Sequence, residues 1–368
     1  MNPEAKFGNR AILGSLFNEA AIAIQRGPIF DTTPGPIMGR AEFDRIEGML
    51  LGIAIGDSLG NTTEGMTPRA REARHGIVSD YIPGRYGPGV PSDDTQLAFW
   101  TLEQILEDGC TDPGRISDRF TKDQIFGIGN AVTEFLYNKG EGLPWQRCGA
   151  RSAGNGSLMR IGPVVLPYLR SPTSELWSDV ALLAMVTHND SAAISSCLAF
   201  VNIIWDLLSM KEVPSPEWWL EAYVSTARDL EINEEYRPRG GSFTEFQGPL
   251  WRYVQTYVPL AFDRNLSVRD ACDSWYSGAY LLETVPSVLY ILMVYGDDPE
   301  KAIISAVNDT KDNDTIAAIV GAAVGALHGK ASLPQRWITG LSGRTGSNDS
   351  GRIFELIEQA KRAFWDVD

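Results

Sequence analysis

Glycine recurs at every fourth position of one apolar segment, and this regularity restricts the possible folds more than any other feature of the sequence. The segment "FDRIEGMLLGIAIGDSLG" (43–60) contains Gly48, Gly52, Gly56 and Gly60. Because residues four apart share one face of a helix, this helix has a face without side chains. The segment "TIAAIVGAAVGALHG" (315–329) repeats the pattern with Gly321, Gly325 and Gly329. Since both segments are too short to span a membrane, we expect the two helices to pass close together in the centre of the fold.

Segments with helical spacing continue through most of the remaining chain, whereas alternating strand patterns are scarce. They cover 97–107, 117–138, 175–187, 191–210, 216–230, 250–261, 268–273 and 284–295. The chain has 368 residues and a hydrophobic content of 43%, which is enough for a sizeable core. No apolar run is expected to reach the length of a membrane span. The sequence therefore predicts a single all-α domain, for which we expect residues 41–368.

The first forty residues differ from the rest, and we treat residues 1–40 as an N-terminal extension. Helical spacing is present in 11–25, and a linker punctuated by proline and glycine follows in 26–40. Two interpretations remain open: an arm on a flexible connection, or an ordinary N-terminal helix packed on the core. Asn18 and Glu19 interrupt the apolar run, which argues against a signal peptide.

The charge and cysteine content limit the classes of function. With 32 Lys and Arg against 47 Asp and Glu, the net charge is −15, which argues against a general nucleic-acid or anionic-membrane surface. An anionic substrate would be repelled by this field unless the site also held a cation. The four cysteines are far apart and the three histidines lack ligand spacing, so we expect neither a disulfide scaffold nor a zinc site. A reducing, cytoplasmic setting is the simplest one.

Two adjacent carboxylates stand in "PSDDTQ" (91–96), between a Gly/Pro-rich loop and an apolar segment. One interpretation is a helix cap, because Ser92 could cap the helix and Asp93 and Asp94 would favour the positive end of its dipole. The other interpretation is a metal site. The stretch alone does not decide between them.

A second carboxylate pair, Asp312 and Asp314, occurs in "NDTKDNDT" (308–315), again directly before an apolar helix. If the segment is extended, both carboxylates point to the same side, although a helix cap is also compatible with the pattern. An EF-hand loop does not fit, because Ile316 and Ala317 would occupy its third ligand position and its glycine. If the two helix starts converge, their carboxylates repel each other unless cations such as Mg²⁺, Mn²⁺ or Ca²⁺ lie between them.

The motifs, taken in order, are similar to those of a known family. They are "EGMLLGIAIGDSLG…TEG", "SDDTQLA", "GNGSLMRIGPV", "THNDSAA", "TVPSVLY" and "DNDTIAAIVGAAVGALHG". Over roughly residues 43–330 the chain resembles the ADP-ribosylglycohydrolases, which include the dinitrogenase reductase-activating glycohydrolase and the ADP-ribosyl-acceptor hydrolases. The resemblance implies a compact, orthogonal helical bundle of the all-α class with a dinuclear site for two Mg²⁺ or Mn²⁺ ions at its centre.

The resemblance also implies roles for particular residues. The metal ligands it implies are Ser92, Asp93, Asp94, Asp312, Asp314 and Thr315. Asn313, where many members have threonine, is expected to point away from the ions. Asp93 and Glu64 are the candidate catalytic residues, with the general base and the general acid not assigned between them. Glu64 follows "GDSLG" in a loop that suits a mobile flap, whereas Asp57 in that motif is expected to be structural.

The Gly-rich loop "SAGNGSLMR" (152–160) is the candidate substrate loop. Its amides at 154–157 could hold a phosphate, although an isolated GNG is more often a plain turn. The resemblance implies substrate contacts from Asn155, Gly156, Ser157 and Met159. For His188 it implies a contact with a ribose hydroxyl, and a core histidine with satisfied hydrogen bonds is the alternative.

The function implied by the resemblance is removal of ADP-ribose from a modified protein side chain. Arginine-linked ADP-ribose is the first choice of substrate, and serine-linked ADP-ribose or O-acetyl-ADP-ribose are alternatives. A second hypothesis is an immunity protein that occludes an ADP-ribosylating toxin through residues 1–40. A non-catalytic metal protein is a third, which the complete ligand set disfavours. We expect no nucleic-acid or membrane partner.

Overall fold

The computed structural model describes residues 8–37, 42–232 and 234–366, and over these residues the fold is helical. The helices are α1 (Asn9–Asn18), α2 (Phe43–Asn61), α3 (Pro68–His75), α4 (Asp93–Asp108), α5 (Pro113–Arg119), α6 (Asn130–Gly140), α7 (Glu175–Met185), α8 (Ser191–Ser209), α9 (Pro216–Arg228), α10 (Leu250–Asp263), α11 (Val268–Ser274), α12 (Leu281–Tyr295), α13 (Pro299–Asp309), α14 (Asn313–His328), α15 (Gln335–Gly340) and α16 (Arg352–Phe364). Short 3₁₀ turns occupy Pro28–Asp31, Trp145–Arg147, Leu158–Arg160, Gly162–Tyr168 and Lys330–Ser332. Within the described ranges β-pairing is limited to isolated bridges, so the all-α prediction is confirmed.

Helices α2 and α14 form the centre of the fold, and their backbones touch along the glycine faces. A Cβ atom built at Gly52 would lie 2.0 Å from the carbonyl oxygen of Gly321. A Cβ atom at Gly325 would lie 2.1 Å from the carbonyl oxygen of Gly48. Real Cβ contacts are never this short, so only glycine permits the approach. The predicted close passage of the two helices is confirmed.

Helix α8 corrects the expectation that no apolar run reaches the length of a membrane span. It has 19 residues with a mean hydropathy of 1.6, which is long and apolar enough by composition alone. In the fold, however, 89% of its most apolar stretch is buried inside the protein. Helices α7 and α9 pack against it, so its apolar surface serves the protein core.

The segment 117–138 was expected to be one helix and is two. Helix α5 ends at Arg119 and α6 begins at Asn130, and an irregular segment lies between them. Gly127 in that segment has a φ of 65°, a left-handed conformation that favours glycine and interrupts a helix. Because apolar residues have helical spacing on both sides of this segment, the sequence pattern did not predict the break.

The N-terminal strap, which we define as residues 8–37, is packed on the rest of the chain. Its helix ends at Asn18 and does not continue to residue 25 as expected. Its buried apolar side chains are Leu13, Leu16, Ile22, Ile24, Phe30 and Ile37. Backbone bonds also tie it down, since the Gln25 amide donates to the Leu230 carbonyl at 2.9 Å. Of the two open interpretations, the structure shows the packed one for these residues. The boundary at residue 40 stays a prediction, because 38–41 lie outside the described residues.

Candidate active site

The first carboxylate pair lies at the start of α4, where the cap and the metal interpretations turn out to be compatible. Ser92 is the N-cap residue, and its hydroxyl accepts a hydrogen bond from the Asp94 amide and donates one to Asp94 Oδ2 at 2.9 Å. The other carboxylate oxygen, Asp94 Oδ1, is buried and has no hydrogen-bond partner. A buried, unpaired carboxylate oxygen is costly unless a cation faces it.

Asp57, on α2, fixes the position of this helix start. Its carboxylate accepts hydrogen bonds from the Ser92 amide at 2.9 Å and from the Thr95 amide at 3.0 Å. It also accepts one from the Thr95 hydroxyl at 2.5 Å. Asp57 thus holds the start of α4 against the glycine-faced helix, which agrees with the structural role expected for it.

The second pair lies at the start of α14, and its local conformation differs from the one expected. Asp312 is the N-cap residue and Asp314 already belongs to the first helical turn, so the segment is not extended. The carboxylates are nevertheless directed to the same cavity. Asp312 accepts a hydrogen bond from Asn155 Nδ2 at 2.5 Å. Asn313 points to α2, where its amide donates to the Gly60 carbonyl at 3.0 Å.

The two helix starts converge on one carboxylate cluster. Asp57, Asp94 and Asp314 each offer an oxygen atom, and these atoms lie within 4.8 Å of one another. Glu64, Asp312 and Asp314 form a second group with the same spacing. Asp314 belongs to both groups, so they are adjacent.

Burial and mutual repulsion determine the ionisation of this cluster. Desolvation raises the pKa of Asp94 and of Asp314 well above the usual value, and neighbouring carboxylates raise both further. The pKa of Asp93 is raised in the same way. Burial raises the pKa of Asp312 to about 6, and the hydrogen bond from Asn155 opposes the shift. Hard cations bound among these oxygens would relieve the repulsion, so the donor set fits Mg²⁺ or Mn²⁺.

Glu64 lies at the mouth of the cavity, in a loop that the fold fixes firmly. Residue 64 is exposed, yet partial desolvation raises the pKa of its carboxyl group. Arg71, which is fully buried, donates to the Thr63 hydroxyl at 3.0 Å and to the Met66 carbonyl at 3.1 Å. It also donates to the Thr310 carbonyl at 3.0 Å, just before the second carboxylate pair. Arg71 therefore ties both ends of the Glu64 loop to the backbone just before the second carboxylate pair, which is not the arrangement expected of a mobile flap.

The glycine-rich loop at 152–157 lines the cavity, but its backbone is only partly free to bind an anion. The Gly154 amide donates to the Ser152 hydroxyl at 3.3 Å, and the Asn155 amide donates to the Ala279 carbonyl at 3.2 Å. Two of the four amides expected to cradle a phosphate are therefore used within the protein. Ser157 is fully buried and faces Cys197, with 3.5 Å between the two side-chain heteroatoms.

His188 is buried, and its neighbours favour one tautomer. Arg160 Nη2 donates to the Thr187 hydroxyl at 2.8 Å, so the single hydroxyl proton is available for His188 Nδ1, 2.8 Å away. The ring proton is then on Nε2, which faces Gly156 in the cavity wall. Burial, with a smaller contribution from Arg160, lowers the pKa of His188 to about 3, so the ring is a neutral hydrogen-bond donor.

One cavity of about 240 Å³ brings most of the predicted residues together. Those that line it are Glu64, Asp93, Asp94, Asn155, Gly156, Met159, His188, Asp312, Asp314 and Thr315. Ser92 and Ser157 are not part of its wall. Sequence reasoning missed Gly127 and Arg239, which also line it. A Cβ atom at Gly127 would lie 3.0 Å from Asp93 Oδ1, and Gly127 and Gly129 were the signals of this loop in the sequence.

The described residues form a helical fold around an acidic cavity, and comparison with known proteins gives the family. The ADP-ribosylglycohydrolase family model matches residues 38–366, so the chain belongs to the ADP-ribosylglycohydrolase family. It is therefore an enzyme of the glycohydrolase class, and the resemblance found in the sequence is confirmed. The N-terminal strap lies before the matched region.

Three relatives and one solved structure illustrate the likeness. The chain is 31% identical to an uncharacterized protein of Archaeoglobus fulgidus, over 85% of this chain and 97% of that one. It is 27% identical to the ADP-ribosylarginine hydrolase Tri1 of Pseudomonas putida, over 80% and 73% respectively. It is 25% identical to the ADP-ribosyl-[dinitrogen reductase] glycohydrolase of Rhodospirillum rubrum, over 82% and 92%. The structure of an ADP-ribosylglycohydrolase-related protein complex superposes with a TM-score of 0.65 at 26% identity, covering 88% of this chain and 97% of the other.

Proposed function

We propose that this enzyme hydrolyses the glycosidic bond between ADP-ribose and a modified protein side chain with the help of two divalent metal ions. The observation that supports this most is the convergence of two helix starts on one buried carboxylate cluster facing a cavity. Two adjacent groups of three carboxylates that share Asp314 favour two ions over one. The unpaired Asp94 Oδ1 is the oxygen that most needs a cation.

The residues that would hold the ions are the six implied by the resemblance, with Asp57 added from the geometry. The proposed set is Asp57, Ser92, Asp93, Asp94, Asp312, Asp314 and Thr315. When bound, Mg²⁺ or Mn²⁺ ions polarise water and sugar oxygens and offset the repulsion between an anionic substrate and an acidic protein. The transition state of glycosidic cleavage resembles an oxocarbenium ion, which the surrounding carboxylates stabilise.

The remaining cavity residues would bind the substrate and move protons. Asp93 and Glu64 are the two carboxyl groups that we propose for proton transfer to the leaving group and from water. His188 donates a hydrogen bond from Nε2 to an oxygen of the ribose. Asn155 holds Asp312 by its amide nitrogen, and so fixes the cluster relative to the sugar.

Arginine is the acceptor side chain that we propose first. It is supported by the relative from Pseudomonas putida, whose name is ADP-ribosylarginine hydrolase. The test is a hydrolysis assay on arginine-linked ADP-ribose, serine-linked ADP-ribose and O-acetyl-ADP-ribose, each with Mg²⁺, Mn²⁺ or a chelator. Metal-dependent release from the arginine conjugate is the expected result. Full activity in chelator would refute the metal proposal, and release from the serine conjugate alone would refute the acceptor.

An immunity role through the N-terminal segment stays a second proposal. The observation in its favour is that the strap lies before the matched family region. Six of its apolar side chains are buried, and its surface includes exposed polar residues such as Arg10 and Asp31, which form an ion pair. Substituting both by alanine keeps the strap in place, and a pull-down with the toxin then tests the docking. Unchanged capture would refute a role for this surface.

A reducing, cytoplasmic location is proposed on the basis of the thiols. All four cysteines are free, and Cys148, Cys197 and Cys272 are buried. Burial raises the pKa of Cys197 to about 12, so this thiol is unreactive. Exposed Cys110 is the site at which labelling in intact cells would report the redox state of the compartment, with a free thiol as the expected result.

A further inference from the structure

Among the described residues that line the cavity, Arg239 is the one with a permanently positive side chain. It belongs to the connection between α9 and α10. The other charged groups of the wall are carboxylates, and His188 is neutral. A lone guanidinium in an acidic cavity is a candidate for binding the anionic part of a substrate.

The guanidinium of Arg239 is held in place by Glu283 and Tyr280. Its Nε donates to Glu283 Oε1 at 3.0 Å and its Nη2 donates to Glu283 Oε2 at 2.8 Å. The Tyr280 ring lies 4.9 Å below its central carbon. Glu283 has no exposed side-chain surface, whereas the side chain of Arg239 is 57% exposed. An arginine has five N–H donors, so this pairing leaves about three of them for a ligand.

Arg239 also lies beside the glycine-rich loop. The residue beneath it, Tyr280, pairs with Gly154 in an isolated antiparallel bridge. The Leu281 amide donates to the Ala153 carbonyl at 2.9 Å, which fixes the two segments side by side. The loop, in turn, contacts the carboxylate cluster, because the Asn155 side chain donates a hydrogen bond to Asp312. The cavity wall therefore runs from the carboxylates, along the loop, to the guanidinium.

The loop alone does not provide a complete anion site. The amides of Gly154 and Asn155 are already used within the protein. A diphosphate placed against this loop therefore needs donors from another element. The planar fork of an arginine matches two phosphate oxygens, and Arg239 lies beside the loop with free donors.

We propose that Arg239 binds the diphosphate of ADP-ribose, with Glu283 and Tyr280 as its positioning residues. This inference rests on the proposed function, because it takes ADP-ribose as the ligand. The competing explanation is that Arg239 only neutralises the buried Glu283 and anchors its loop. The two explanations differ in how salt affects the variants, since a contact between the guanidinium and the ligand is screened and loop anchoring is not.

The experiment is a calorimetric titration of ADP-ribose into the Mg²⁺-loaded full chain, at about 0.1 M and about 1 M NaCl. The proteins are the wild type, Arg239→Met, Arg239→Lys and Arg237→Met. Arg237 is the matched control, because it lies in the same loop and bonds to Gln247 outside the cavity wall. Thermal unfolding of each variant establishes that it is folded.

We expect Arg239→Met to weaken binding by roughly tenfold to 100-fold at low salt, and the ratio to the wild type to shrink at high salt. Arg239→Lys should fall in between, and Arg237→Met should stay within about twofold, because a distant surface charge contributes little. Unchanged affinity of Arg239→Met would overturn the inference. A loss that is equal at both salt concentrations would also overturn it, in favour of loop anchoring. If the wild type itself fails to bind ADP-ribose, the proposed function falls as well.

Discussion

Gly60 contacts the backbone of Asp314 so closely that a Cβ atom at position 60 would lie 2.4 Å from the Asp314 Cα atom. Gly60 is the last glycine of the face on α2, and Asp314 is the carboxylate shared by both groups of the cluster. The crossing of α2 and α14 therefore ends directly at the proposed metal site. Its geometry determines how far Asp314 stands from the carboxylates of α4.

Gly60→Ala should displace Asp314 and weaken metal binding. The added methyl group has no room against a backbone, and overpacking of this kind costs about 1–3 kcal/mol of stability. Because the displaced atoms carry Asp314, we expect a lower affinity for Mn²⁺ even in the folded fraction. Calorimetric titration of Mn²⁺ into the folded variant measures this.

Gly52→Ala is the matched control for that prediction. A Cβ atom there meets the Gly321 carbonyl, two helical turns from the cluster, so stability should fall while metal affinity is kept. If Gly52→Ala lost as much metal affinity as Gly60→Ala, the crossing would act on the site only through global stability.

Asp314→Asn should abolish metal binding without unfolding the metal-free protein. Burial raises the pKa of Asp314 well above the usual value, so its charged form disfavours the fold at neutral pH. Removal of this charge should leave the melting temperature of the metal-free protein equal or higher, and the increase on adding Mg²⁺ should disappear. Asp94→Asn should behave in the same way, because its Oδ1 is the unpaired buried oxygen.

The control for both variants is Asp179→Asn, a buried carboxylate beneath the N-terminal strap. It should keep both the metal-dependent rise in melting temperature and the activity. A chelator-resistant, fully active Asp314→Asn protein would contradict the two-metal proposal.

Thr187→Val should disturb the tautomer of His188. In the wild type we expect the Thr187 hydroxyl to donate to Nδ1 and to leave the proton on Nε2, and the pKa of about 3 keeps the ring neutral from pH 5 to pH 8. Nitrogen NMR of the imidazole rings should show a single neutral tautomer for His188, with only three histidines to assign. Valine removes the donor, so a mixture of tautomers is expected. Thr187→Ser, which keeps the hydroxyl, should preserve the wild-type signal.

A titrating His188 between pH 5 and pH 8 would contradict this description of the site. So would a Thr187→Val spectrum identical to that of the wild type. Activity should fall in Thr187→Val because the Nε2 donor is partly lost, whereas a purely structural role for the hydroxyl would lower stability and leave the ring signals unchanged.

Phe30→Ala should destabilise the whole chain although it lies outside the matched family region. Phe30 is 4% exposed and its ring meets that of Phe17 edge-on at 5.5 Å. Truncation of a buried phenylalanine costs about 3–5 kcal/mol. Chemical unfolding followed by tryptophan fluorescence measures the loss, and Arg10→Ala, at an exposed ion pair, should change the stability by less than about 1 kcal/mol. A Phe30→Ala protein as stable as the wild type would show that the strap is only loosely attached.

The sequence predicted most of the helices, although the patterns at 117–138 and 11–25 gave wrong bounds, and it predicted the two carboxylate pairs. The glycines at 52 and 321 predicted the close contact between their helices, because only glycine tolerates it. Asp57 could not be recognised as part of the cluster, since its partners lie 35 and 38 residues further along the chain. Arg239 was missed for the same reason: it lies in a loop, and its partner Glu283 lies on α12, 44 residues away. The spacing of residues along the chain predicts the structure of a single helix or loop, whereas a site is formed by contacts between several of them.

The N-terminal strap implies that the region matched by the family model, residues 38–366, is smaller than the region that packs into one fold. The matched region begins at residue 38, but Trp205 in α8 donates to the Gly35 carbonyl at 2.8 Å and Trp177 in α7 donates to the Thr32 carbonyl at 2.7 Å. Cutting the chain at the boundary of the matched region would leave both indole nitrogens without these partners and expose apolar surface on two core helices. We expect the shortened enzyme to aggregate through this exposed surface.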